Sequence, residues 1–230
     1  MANFETHVLG AVTVGVVATA LLSAAQLLPL TAVPAGIGLV ALGGVAPDVD
    51  SDHSDALSLV FATMGVGLAA PVLVAALPAV GLLAGLAVMA AVYGVVRYVV
   101  PVPFRWLTVH RGRCHSVPAG LLAAAGLTFV CHQGLLLDPV QSWLLGALFG
   151  MGFATHLVLD ELYSVDLGIK RSFGSALKLG ARRDWLGYLG LYAALALVLL
   201  AAPSPRDLVV ALASVRIGLL PPPELLALLP

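Results

Sequence analysis

Long apolar runs that carry almost no charge limit the folds open to this chain more than any other feature of its sequence. Several runs approach the roughly 20 residues that cross a hydrocarbon core, in a chain of 230 residues of which 10% are charged. The runs lie at residues 8–28, 30–46, 56–77, 78–100, 117–137, 141–159 and 185–202. Backbone polar groups inside lipid must be bonded within the protein, which favours helices. The sequence therefore predicts an all-α, polytopic membrane helix bundle of about six or seven transmembrane helices.

Three details of these runs give the expected domain organisation. The run at 30–46 is rich in glycine, so it is either a full span packed closely against its neighbours or a re-entrant segment. A tight turn around Pro78 is expected between the third and fourth runs. After two further prolines, residues 207–220 fit a short interfacial helix. We expect a membrane-embedded domain at residues 1–202 and an interfacial helix with a tail at 203–230.

Basic residues concentrate in two of the loops between the runs. They are Arg97, Arg105, Arg111 and Arg113 before the fifth run, and Lys170, Arg171, Lys178, Arg182 and Arg183 after the sixth. Loops rich in Lys and Arg stay in the cytoplasm. Counting back through alternating spans places the amino terminus and the loop at residues 48–55 in the cytoplasm as well. The formal net charge of −1 argues against a nucleic-acid partner, because such proteins normally have a basic face.

The loop "VAPDVDSDHSD" holds four of the 12 acidic residues of the whole chain. Such a loop alone is often a solvated connector, and we assign Asp52 and Asp55 to its solvated rim. Asp48 and Asp50, however, have the period-two spacing that points two side chains of an extended segment to one ion. Carboxylates crowded at low dielectric repel one another unless protons or a cation neutralise them. The pattern therefore indicates a divalent metal.

The other unusual polar residues fall at the same predicted cytoplasmic end of the bundle. His7 begins the first run, and the segment "HRGRCHS" at residues 110–116 leads into the fifth. His156 and Asp160, near the end of the sixth run, have the i, i+4 spacing that holds a metal on one helix face. Only His132 lies at the opposite end, where we expect a structural or interfacial role. Four separate segments thus converge on one predicted metal site.

The segments "NFETHVLGA", "GGVAPDVDSDHSD", "HRGRCHS" and "THLVLDELYSVDLGI" resemble, in order and spacing, the motifs of the LexA-binding, inner-membrane-associated hydrolases. These are membrane-bound metal-dependent hydrolases, and the similarity covers residues 1–170. The resemblance implies a location in the inner (plasma) membrane. It also implies a distant relationship to the zinc-dependent phospholipase C and single-strand nuclease superfamily, all-helical enzymes that bind metals through His and Asp and cleave phosphoesters.

Carried over motif by motif, the resemblance implies a set of metal ligands. They are His7, Asp48, Asp50, His53, His110, His115, His156 and Asp160. We expect two divalent ions, zinc first, with manganese or magnesium as the alternatives that carboxylate-rich ligation leaves open.

Metal-assisted hydrolysis of a phosphoester is the chemistry that fits this set. Asp48, Asp50 or Asp160 would bridge the ions or orient the water that they activate. Arg111 and Arg113 either grip phosphate oxygens or serve only as the positive charge that sets topology. A site at the membrane surface can draw substrate from the lipid layer, so a lipid phosphoester is the first expectation.

Two other functions compete with a hydrolase. A metal-ion or proton transporter would line a path with ionisable groups through the membrane depth, whereas these groups collect at one end. A non-catalytic membrane scaffold is suggested only by the name of the family. Because the ionisable residues cluster at one end of the bundle, the sequence favours an enzyme over a transporter.

Overall fold

A computed structural model of the protein describes residues 3–50, 55–99, 101, 113–166 and 177–215. All regular structure within these residues is helical. The helices are α1 (Phe4–Ala24), α2 (Val33–Val45), α3 (Asp55–Gly94), α4 (Val117–Phe129), α5 (Pro139–Asp166), α6 (Trp185–Ala201) and α7 (Arg206–Ala213). Short 3₁₀ helices occur at Leu30–Ala32, Ala46–Asp50 and Arg182–Asp184, and π-helical turns extend α3 (Val95–Val99) and α4 (Val130–Gly134). The all-α prediction is confirmed.

Six helical segments in the described part of the chain are long and apolar enough to cross a membrane. They are Phe4–Ala24, Leu30–Asp48, Ala76–Val99, Val117–Gly134, Pro139–Tyr163 and Arg182–Ala201. A further apolar helical stretch, Phe61–Val74, is shorter. The segment predicted at 30–46 is thus long enough for a full span. The prediction of a multi-pass membrane protein is confirmed.

Helix α3 is a hairpin whose chain reverses at Gly81. This residue has φ +76° and ψ 174°, a conformation that side chains with a Cβ rarely adopt. Close contacts across the two arms, such as that from Arg97 Nη2 to Ser58 Oγ at 2.6 Å, show that the arms run antiparallel. The turn predicted around Pro78 therefore lies three residues later, because Pro78 keeps a helical backbone and only the glycine supplies the reversal.

Helix α5 is the centre of the bundle and packs against α1, α2, α4 and α7. Its approach to α2 is close because glycines face backbone on both sides. A Cβ at Gly43 would strike the Phe149 carbonyl, and a Cβ at Gly152 would strike the Val40 carbonyl. Small residues at such contacts let helices approach closely in membranes, where no hydrophobic effect drives them together. This contact fixes the end of α2 against the middle of α5.

Apolar side chains cover the outside of the bundle, and several polar ones are buried inside it. Leu9 is 69% exposed and Leu83 is 84% exposed, as suits side chains that face lipid. The buried polar side chains in the described part are His7, Thr19, His115, Ser116, Thr128, Ser142, His156, Asp160 and Glu161. Most of the buried hydroxyl groups bond to backbone carbonyls in or beside their own helices. The ionisable groups gather at one end of the bundle.

Candidate metal centre

Five side chains from four parts of the fold meet at one end of the bundle. His7 lies in the first turn of α1, and Asp48 lies in the 3₁₀ helix that continues α2. His115 stands immediately before α4, while His156 and Asp160 come from the last turns of α5. The structure thus brings together five of the eight predicted ligand residues.

Helix caps hold the two histidines that lie at helix starts. Asn3 caps α1, since its side-chain oxygen accepts from the Thr6 backbone N–H at 2.9 Å, and His7 follows within that turn. Ser116 caps α4, as its position before Pro118 predicts. Its hydroxyl also donates to the Arg113 carbonyl at 2.5 Å, which fixes the turn that carries His115.

A second set of contacts holds the His115 turn from the side of α6. Arg113 Nε lies 2.6 Å from Asp184 Oδ2, and Arg113 Nη2 lies 3.2 Å from Asp184 Oδ1. This two-pronged hydrogen bond raises the pKa of the Arg113 guanidinium. The Val117 N–H also donates to the Lys178 carbonyl at 3.0 Å. Arg113, considered above for phosphate binding, is therefore engaged by a carboxylate of its own chain.

The change from α-helix to 3₁₀ helix at the end of α2 positions both Asp48 and a backbone carbonyl. The last carbonyls of an α-helix have no intrahelical partner. Here the Gly44 carbonyl turns to His156 Nδ1, which donates to it at 2.7 Å. The 3₁₀ turn then carries Asp48 around to the same imidazole.

Two overlapping groups of three side chains have ligand atoms close enough to share an ion. His7, His156 and Asp160 form one group, and Asp48, His115 and His156 form the other. Within each group the candidate ligand atoms lie within 4.8 Å of one another. His156 belongs to both groups and stands between them.

The distances around His156 are short. Its Nε2 lies 3.6 Å from Asp48 Oδ1 and 3.7 Å from Asp160 Oδ2. On either side, His115 Nε2 lies 3.2 Å from Asp48 Oδ1, and His7 Nε2 lies 3.3 Å from Asp160 Oδ1. Two carboxylates therefore approach one imidazole nitrogen, close enough to bind one ion or a pair of ions about 4 Å apart.

The hydrogen bond to Gly44 fixes which nitrogen of His156 can bind a metal. A carbonyl only accepts, so Nδ1 must carry the proton, and Nε2 of the neutral ring presents a lone pair. That lone pair faces two carboxylates and would be repelled by both. A cation between the three groups removes this conflict, and a ligand histidine whose other nitrogen bonds a backbone carbonyl is the usual arrangement at metal sites.

Several buried polar atoms of this cluster make no hydrogen bond within the described part of the chain. They are both ring nitrogens of His7, Nε2 of His156 and both carboxylate oxygens of Asp160. Buried polar groups without hydrogen bonds are rare and costly, by about 1–3 kcal/mol each and more for charged groups. Their grouping around His156 fits a bound ion that satisfies the Asp160 oxygens and one nitrogen of each histidine ring.

Among the five cluster side chains, that of Asp48 is the most exposed. The side chains of His7, His156 and Asp160 are at most 3% exposed, whereas that of Asp48 is 31% exposed. His115 is 7% exposed and lies next to Asp48. Within the described part of the chain, solvent therefore reaches the cluster chiefly at Asp48.

The remaining predicted site residues lie outside the described residues. These are the Asp50 side chain, His53, His110 and Arg111. His132, expected to be structural, lies at the far end of the bundle, where its Nδ1 is 2.8 Å from the Leu137 carbonyl.

Glu161 is a buried carboxylate outside the predicted set of ligands. It is 2% exposed, as deeply buried as Asp160. The signal that could have found it is its position directly after Asp160 in an apolar helix, where a second carboxylate is costly. Its neighbour was chosen instead because only Asp160 is spaced i, i+4 from His156.

No protein-family model matches the chain, and neither a curated protein nor a solved structure matches it.

Proposed function

We propose that this protein is a membrane-embedded metal-dependent hydrolase whose ion is bound by His7, Asp48, His115, His156 and Asp160. The observation that carries the proposal is the single free nitrogen of His156. Its Nδ1 donates to the Gly44 carbonyl, so its Nε2 lone pair faces Asp48 and Asp160, an arrangement that a cation between the three groups would stabilise.

The donor set of three imidazoles and two carboxylates suits zinc, with manganese as an alternative and magnesium less favoured by the imidazoles. Because only one nitrogen of His156 is available, His156 binds one ion. If two ions are bound, His7 and Asp160 serve one of them and Asp48 and His115 serve the other. His156 then completes only one of the two sites.

A divalent ion supplies the hydrolytic chemistry, because it lowers the pKa of a coordinated water towards 7 and polarises a phosphoryl oxygen. The chain's own residues hold and orient the reactants. His7, His156 and Asp160 form the closed floor of the site, where water is excluded. Asp48, with its partly exposed carboxylate beside His115, is the group best placed to accept a proton from a water at the open side.

The described part of the chain favours an enzyme over a transporter. An ion path needs polar groups along the membrane depth. Thr19 and Thr128 donate instead to carbonyls of their own helices, and Ser142 donates to the Asp138 carbonyl. The ionisable cluster is confined to one end of α5.

The substrate we propose is a phosphoester, with a lipid phosphoester first, because the site opens at the end of a membrane bundle. We also propose that this end faces the cytoplasm, following the distribution of Lys and Arg in the loops.

Two measurements on the purified protein test this proposal. Elemental analysis is expected to find a divalent metal in the wild type and in Asp138→Asn, a matched control at the opposite end of α5. The same analysis is expected to find little in Asp160→Asn. Hydrolysis of a panel of lipid and soluble phosphoesters should then disappear with chelator and return with zinc or manganese.

The outcomes separate the alternatives. Equal metal content in Asp160→Asn and Asp138→Asn would refute the metal centre. Metal-dependent ion flux in liposomes, without hydrolysis, would refute the enzyme and support the transporter.

A further inference from the structure

An apolar cavity of about 470 Å³ lies between α4, α5, α6 and α7. It begins beside the candidate metal centre, because Val117 and Leu157 line it and directly adjoin the segments that carry His115 and His156. It continues along α4 to Thr128, next to Trp143 at the start of α5. One end of the cavity thus lies near the helix positions that carry His115 and His156, and the cavity runs away from them along the bundle.

The lining has no polar group to offer an occupant. Thr128 and Trp143 are the only residues with hydrogen-bonding side chains among the described residues that line it. Thr128 Oγ1 donates to the Ala124 carbonyl at 3.0 Å, and Trp143 Nε1 donates to the Pro203 carbonyl at 2.9 Å. An occupant therefore has to be apolar.

The cavity has the length of one hydrocarbon chain in a leaflet. The lining on α4 runs from Val117 to Thr128, which corresponds to about 17 Å at the rise of an α-helix. One leaflet contributes about 15 Å of the hydrocarbon thickness of a bilayer. Small side chains on α5, among them Ala147 and Ala154, leave this space open.

We infer that the cavity binds one acyl chain of a membrane phospholipid whose head group lies at the metal centre. The inference rests on the proposed function in its assignment of the head group to a phosphoester substrate. Acyl-chain binding also explains how a site at the end of the bundle can select a lipid. The acyl chain is bound along α4 and α5, and the phosphoester is held beside Asp48 and His115.

Lipid binding can be measured independently of any reaction. The full-length protein, purified in detergent, is loaded with phosphatidylglycerol and examined by native mass spectrometry. One lipid is expected to remain bound to the wild type. Ala147→Phe and Ala154→Phe fill the cavity at exposed positions, so the retained lipid should fall about ten-fold. Val17→Phe, on the lipid-facing side of α1, is the matched control and should retain it.

Photo-crosslinking gives the orientation of the lipid. Phosphatidylglycerol with a diazirine at the end of one acyl chain is expected to label the region of Thr128 and Trp143. A diazirine near the head group should label the region of Val117 and Leu157. Both patterns should persist in chelated protein.

Equal lipid retention in Ala147→Phe and Val17→Phe, or labels spread over the outer face of α1, would overturn the inference and indicate annular lipid only. The reversed labelling pattern would also overturn it. Lipid bound in the expected orientation, by protein that holds no metal and hydrolyses nothing, would refute the proposed function while leaving the acyl-chain site intact.

Discussion

The imidazole rings of His7 and His156 stack nearly in parallel, with centroids 3.8 Å apart and planes inclined by 11°. The two rings come from α1 and α5, and both direct Nε2 towards Asp160. Two protonated imidazoles would repel each other at this distance, particularly where burial weakens screening. The stack therefore disfavours a positive charge on both rings at once, and neutral imidazole is the form in which histidine binds metals.

Replacement of His7 by phenylalanine separates ring packing from metal binding. His7→Phe keeps an aromatic ring against His156 but removes a ligand nitrogen. Metal affinity should fall by more than about 100-fold, because loss of an outer-shell partner alone costs 10- to 100-fold. Isothermal titration of metal into the chelated protein measures this. His132→Phe, at the far end of the bundle, should bind as the wild type does; a parallel loss there would indicate a general folding defect.

Asp160→Asn should reverse the order of thermal stability between the metal-loaded and the chelated protein. With metal, the wild type gains the binding energy that the variant loses, so the variant should unfold at a lower temperature. Without metal, the variant no longer buries a carboxylate that lacks a cation, so it should unfold at the same or a higher temperature. Thermal unfolding in detergent provides the measurement. A variant less stable under both conditions would show that the carboxylate does not need the ion.

Gly152→Ala should weaken metal binding although it changes no ligand. Its Cβ would meet the Val40 carbonyl and the Gly44 N–H, and would push α2 away from α5. The Gly44 carbonyl would then leave His156 Nδ1. We expect a stability loss of about 1–3 kcal/mol and a 10- to 100-fold loss of metal affinity. Gly38→Ala, where the added Cβ meets nothing within 4 Å, is the control. Unchanged metal affinity in Gly152→Ala would contradict the role of this contact.

Asp184→Asn should have little effect on stability. The Arg113–Asp184 pair is 46% and 40% exposed, and exposed pairs contribute about 0–1 kcal/mol. The change in unfolding temperature should therefore be small, and smaller still in high salt. If this variant lost bound metal, the pair would be supporting His115 more strongly than its exposure suggests.

Cysteine labelling tests the cytoplasmic orientation. In a background without Cys114 and Cys131, new cysteines at Ser54 and Leu107 should react with an impermeant reagent only after the membrane is opened. A cysteine at Leu136, which is 85% exposed at the opposite end, should react in intact cells. The opposite pattern would invert the predicted topology.

The sequence alone predicts which residues of a single helix lie close together. His156 and Asp160 are paired by their spacing alone, and the structure has them on one face of α5. Apolar run length likewise predicted the helical spans, because the bilayer itself fixes the length that a span needs.

Contacts between residues of different helices could not be predicted from spacing along the chain. The Gly44 carbonyl reaches His156 because glycines let α2 and α5 approach to backbone contact, which no spacing within either helix reveals. The reversal in α3 was predicted at Pro78 because proline ends many helices. The chain reverses at Gly81 instead, because within α3 only this residue has the non-helical backbone conformation that the reversal needs.

The arrangement of ligands in four parts of the chain has a consequence for biosynthesis. His7 belongs to α1, which leaves the ribosome before α5, the helix that carries His156 and Asp160. Until α5 is inserted and docks beside α1 and α2, the nascent protein has only part of its binding site. If the proposed centre binds an ion, it would therefore do so late in membrane assembly, and the ion would join the earliest to the latest of the four parts that carry candidate ligands.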